Sequence, residues 1–85
     1  MNTSTLLASN IIDLVRLMIH ALSSNDLSEE NRKWILTNSS KLLHISRNLL
    51  NSSDNKDNLR MIWEIYQRDR ERFNSLFTEQ YKIKS

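Results

Sequence analysis

The sequence predicts an all-α fold, an antiparallel three-helix bundle, and three observations predict it. Glycine and proline are both absent from the 85 residues, which removes the residues that make tight hairpins and strand bends. Apolar residues recur at helical spacing along three long segments. Two Asn/Ser-rich stretches, SSND at residues 23–26 and NSSDNKDN at residues 51–58, separate those segments and read as loops. No internal repeat or long linker is visible, so residues 1–85 read as a single helical domain.

The first helix starts at a Thr3 or Ser4 cap and runs to about Leu22. Leu7, Ile11, Leu14, Met18 and Ala21 form one apolar stripe, and Ala8, Ile12, Val15, Ile19 and Leu22 form a second beside it. More than half of this helix surface therefore seeks burial, as the central helix of a bundle does. A surface-lying membrane helix would carry more Lys and Arg on its polar face.

The second helix begins near Leu27, because Asp26 with Glu29 three residues later has the capping-box spacing. Glu29 and Glu30 suit the positive end of the helix dipole. Ile35, Leu42, Ile45 and Leu49 follow heptad positions with Asn38 at the remaining one, and Leu36, Leu43 and Leu50 widen the stripe. Residues Thr37–Ser40 read TNSS, four poor helix formers in a row. One continuous helix is expected; a break at Thr37–Ser40 would give four helices instead.

Ser53 or Asp54 is the expected cap of the third helix, which runs to Tyr81 or beyond. Its apolar positions are Leu59, Ile62, Trp63 and Tyr66, then Phe73, Phe77 and Tyr81, flanked by Met61, Ile65 and Leu76. Between the two groups lies QRDRER, Gln67–Arg72. Heptad counting from Trp63 places Arg70 on the seam, with its stem along the core and its guanidinium lifted to solvent.

Composition narrows the function. Twelve Lys and Arg against ten Asp and Glu give a formal charge of +2, too small and too evenly mixed to imply a polyanionic partner. Without cysteine, neither a disulfide framework nor a thiolate zinc site is available. No apolar run reaches the roughly 20 residues of a membrane-spanning helix, and MNTSTLL lacks the basic segment of a secretory signal. A cytoplasmic protein is expected. The abundance of Asn, Ser, Ile and Lys beside only two alanines hints at an AT-rich coding sequence, as in a low-GC microbe (phage or bacterial) or a plasmid.

Enzymatic chemistry is not expected. No glycine loop cradles phosphate, no nucleophile-elbow pattern occurs, and His20 and His44 lack second ligands at metal-site spacing. No catalytic residue, metal or cofactor is assigned. Arg60, Arg68, Arg70 and Arg72 invite a nucleic-acid reading. Residues two apart on a helix point about 200° from each other, however, and the spacings Arg60 to Glu64, Glu64 to Arg68 and Asp69 to Arg72 suit intrahelical ion pairs.

The expected function is that of a small regulatory or adaptor protein acting by helix-mediated protein binding, with a homodimer as one form it could take. A chain this short buries only roughly 60–65% of its unfolded surface, so support from a partner subunit is expected. The third helix is longer than the first, and its far end should present an aromatic surface to another chain. Arg70, Phe73, Leu76, Phe77, Tyr81 and Ile83 are the expected partner-binding residues, since exposed aromatics beside arginine typify binding hot spots. The competing readings are a nucleic-acid-binding regulator using the arginines of the third helix and a membrane-associated or immunity-type helical bundle.

Overall fold

The structure, a computed structural model, describes the backbone of residues 3–51 and 58–84 and the side chains as far as Leu76. Three helices follow in order: α1, Thr3–Ala21, α2, Glu29–Asn51, and α3, Leu59–Lys84. They form an all-α three-helix bundle of 46 × 19 × 18 Å, with no strand among the described residues. α2 returns antiparallel to α1, and α3 runs parallel to α1.

The expected stripe of α1 is the centre of the core: Leu7, Ile11, Leu14, Met18 and Ala21 are all buried, joined by Ala8 and Val15. α2 stays continuous through TNSS. Its side chains find helical partners there: Asn38 Nδ2 donates to Trp34 O at 2.8 Å and Ser39 Oγ donates to Leu36 O at 3.2 Å. Such back-bonding removes the conflict between polar side chains and helix that made the segment suspect.

The buried seam of α2 differs from the heptad expectation. It consists of Ile35, Ser39, Leu42, Ser46 and Leu49, so Ser39 and Ser46 stand where Asn38 and Ile45 were expected. Both serines satisfy their hydroxyls within α2, Ser46 Oγ donating to Leu43 O at 2.7 Å. A serine whose hydroxyl is satisfied on its own helix packs like an alanine. Interhelical distance follows the side chains at the contact, and the backbones of α1 and α2 approach far more closely than either approaches α3.

One capping expectation is corrected, and another lies outside the described residues. Ser28, not Asp26, is the N-cap of α2: its Oγ accepts from Asn31 N at 3.1 Å and its carbonyl accepts from Arg32 N at 2.9 Å. Asp26 is held in a turn, where its N–H donates to Ser24 Oγ at 3.3 Å. α3 begins with Asn58 O accepting from Ile62 N at 2.9 Å; Ser53 and Asp54 lie outside the described residues. The C-terminus of α1 has a clamp that the sequence pattern does not announce. Arg32 donates through Nη1 to Leu22 O at 2.7 Å and through Nη2 to Ser24 O at 3.0 Å, tying the first turn of α2 to the loop that follows α1 and satisfying its carbonyls.

α3 is the third wall. Tyr66, Asp69, Phe73 and Leu76 are buried, with Leu59, Ile62 and Ile65 partly so. The seam position expected for Arg70 is taken by Asp69, while Arg70 is exposed. Spacing explains the shift: Ile62, Tyr66, Asp69, Phe73 and Leu76 alternate steps of four and three residues, the signature of one continuous face. The Asp69 carboxylate contacts Arg68 Nε at 3.5 Å.

The close α1–α2 approach can be tested at Ser46. Ser46→Ala should leave stability unchanged or raise it by up to about 0.5 kcal/mol, through helix propensity. Ser46→Leu should lower it by about 1–3 kcal/mol, because the added volume forces the helices apart. Urea unfolding followed by circular dichroism distinguishes the two outcomes.

Candidate functional site

α1 is more apolar than its two neighbours can cover. Leu6, Leu17 and Ile19 remain 53%, 60% and 54% exposed. Leu6, Asn10, Asp13 and Leu17 share one stripe, spaced by four, three and four residues, and this stripe faces α3. On the opposite wall stand Leu59, Arg60, Trp63, Tyr66, Arg70 and Asn74.

Three clefts lie along this seam among the described residues. The first, of about 270 Å³, lies between Leu6 and Leu7 on one wall and Leu59 and Trp63 on the other. The second, of about 460 Å³, is lined by Asn10, Asp13 and Leu17 from α1 and by Trp63, Tyr66 and Arg70 from α3. The third, of about 240 Å³, lies between Leu17, His20 and the start of the loop on one side and Phe73 on the other. Trp63 is common to the first two and Leu17 to the last two, so the clefts form one groove. Residue numbers climb together along both walls, as parallel helices require.

The groove has apolar ends and a polar middle. Trp63 is 43% exposed, and its ring lies 5.5 Å from that of Tyr66 at a 39° tilt. A half-exposed tryptophan held against a neighbouring ring is a preorganised contact surface with little side-chain entropy left to lose. Asp13 and Arg70 sit in the middle cleft, and neither forms a salt bridge among the described residues.

The expected partner-binding residues separate into three groups. Arg70 is exposed on the groove wall. Phe73 and Leu76 are only 3% and 4% exposed and belong to the core, which corrects their expected place on a surface offered to another chain. For Phe73 the physical reason is the level of α1, whose last turn and following loop reach it; Leu76 belongs to the same core cluster. Phe77, Tyr81 and Ile83 lie outside the described side chains. Leu6, Asn10, Asp13, Leu17 and Trp63 were missed as site residues, although the periodic Leu6–Asn10–Asp13–Leu17 stripe and the surplus of apolar positions on α1 were legible signals.

The arginines of α3 do not form a patch. Arg60 approaches Glu64 at 3.9 Å on an exposed face, Arg68 contacts Asp69, and the Arg72 guanidinium lies 6.0 Å from the Trp34 ring centroid on the α2 side. Arg70 faces the α1 side. Among the described residues no group of His, Cys, Asp and Glu could hold a metal ion, and no helix is long and apolar enough to cross a membrane.

Core and groove residues should respond differently to truncation. Phe73→Ala should lose about 3–5 kcal/mol of stability, whereas Leu17→Ser should stay within about 0.5 kcal/mol of the parent because its side chain meets mostly water. Thermal unfolding at fixed protein concentration reads both. Comparisons with protein-family models, with characterised proteins and with solved structures returned no match, so the functional reading rests on the groove itself.

Proposed function

We propose that the protein is a small, cytoplasmic, non-enzymatic regulatory or adaptor protein that binds another polypeptide stoichiometrically through the α1–α3 groove. The observation that carries this reading is the continuity of the groove: one channel joins Leu6, Trp63 and Leu17, with a charged centre at Asp13 and Arg70. Arg70, expected from the sequence to touch a partner, keeps that role on the α3 wall. The other binding residues shift toward the N-terminal half of α3 and onto α1.

The groove suits an α-helix better than an extended peptide. Every described element is helical, so no sheet edge is available for strand addition. Two parallel helices with a furrow between them offer a partly apolar face for helix-to-helix packing. Full burial of an exposed leucine contributes about 1.5–3 kcal/mol. Leu6, Leu17 and Trp63 together can therefore support specific binding, while Asp13 and Arg70 select which sequence binds and in which direction.

A photo-crosslinking side chain replacing Leu17 in the full-length protein, expressed in its own cell, provides the test. Irradiation should give a covalent adduct with a defined polypeptide, of this chain or another. The same group at Lys41, exposed on α2, should give none. Equal labelling from both positions, or none from either, would count against the groove.

A further inference from the structure

Two clefted walls, a charged residue at the centre of each and apolar side chains at the ends constrain what can fill the groove. Asp13 lies on the α1 wall and Arg70 on the α3 wall of the same cleft. We infer that the occupant is a second copy of this chain, related by a two-fold axis along the groove, so that Asp13 of each copy meets Arg70 of the other. The inference rests on the groove-binding reading and names its partner.

The geometry follows from the parallel course of α1 and α3. A two-fold axis along the groove exchanges the walls and keeps the level: α1 of one copy lies against α3 of the other, and α3 against α1. Residues that share a level on opposite walls within one chain then face each other across the interface. Asp13 and Arg70 are such a pair, and symmetry makes the pairing twice. At the N-terminal end the same operation sets Leu6 of each copy against Trp63 of the other, since both line one cleft. The four helices together make a bundle in which each α1 has an α3 on either side.

The alternative two-fold, across the groove, is disfavoured by charge. It inverts the level and sets α1 against α1. Asp13 lies midway between Leu6 and His20, near the middle of the wall, so the two Asp13 carboxylates would approach each other. Like charges brought together at an interface oppose association and thereby select the other arrangement.

The experiment uses the full chain and two exchanged charges, Asp13→Arg and Arg70→Asp, with mass measured by light scattering after gel filtration over a concentration series. Wild type should run at twice the 10.1 kDa chain mass. Each variant alone brings like charges together at both contacts and should dissociate, with Kd raised about tenfold or more. In an equimolar mixture of the two, one chain carries arginine at both positions and the other carries aspartate at both, so each contact again joins opposite charges. The mixture should therefore regain the dimer at near wild-type Kd. Both residues are exposed, and unchanged far-ultraviolet circular dichroism checks that each variant remains folded.

A mixture that stays monomeric, or single variants that remain dimeric, would overturn the inference, because the dimer would then not use this pairing. A wild type that is monomeric at every concentration would overturn it as well. If a monomeric wild type still crosslinks from position 17 to a different polypeptide, only the identity of the partner fails; if it crosslinks to nothing, the groove-binding reading fails with it.

Discussion

The close approach of α1 to α2 is the constraint on which the rest of the architecture depends. Ala8 on α1 and Ser39 and Ser46 on α2 are small and buried, and the serines satisfy their hydroxyls on their own helix. These two helices can therefore pack backbone against backbone. α3 meets them with Tyr66, Phe73 and Leu76, whose volume holds it farther away. A bundle with one tight seam leaves room for a furrow along a looser one, here between α1 and α3. The groove between α1 and α3 is thus a packing consequence of which residues are small and which are large.

The same asymmetry explains what the sequence revealed and what it concealed. The buried stripe of α1 was legible in full, because Leu7, Ile11, Leu14, Met18 and Ala21 are apolar and periodic. The seam of α2 was half legible: Ile35, Leu42 and Leu49 carry a hydropathy signal, but Ser39 and Ser46 carry none. Their burial depends on a back-bond to the preceding turn and on a closely packed neighbour, neither of which a hydropathy pattern encodes. On α3, counting from Trp63 selects Arg70, whereas counting through Tyr66 and Phe73 selects Asp69. Trp63 is the wrong anchor because a large aromatic residue can stand at the rim of a core as well as inside it. The site was less legible than the fold for that reason, and because the exposure of Leu6 and Leu17 depends on how far α3 stands from α1.

Charge on α3 shows how composition misleads when direction is ignored. The QRDRER segment looks basic, yet its members point to different neighbours: Asp69 inward, Arg72 toward Trp34 on α2, Arg70 toward the α1 groove. Phosphate binding draws its strength from several cations acting together on one polyanion. Dispersed around a helix, Arg60 and Arg68 meet acidic neighbours, Arg72 lies beside Trp34, and Arg70 faces the groove. Exposed ion pairs such as Arg60 with Glu64 add little to stability, so these residues contribute little to folding.

A helix with more apolar surface than two neighbours can cover creates a choice between solvation and assembly. Leu17 and Leu6 line the open side of the α1–α3 seam, and exchanging them for polar residues would relieve their exposure with little loss to the monomer core. Their position beside a charged centre gives them a different physical meaning from apolar residues scattered over a surface. Apolar contact is nondirectional and would accept many registers, whereas one acid and one base at fixed places on opposite walls accept few. In the proposed complex the groove would therefore combine two terms with separate consequences: its ends would supply binding free energy, and its middle would limit which orientations can use it.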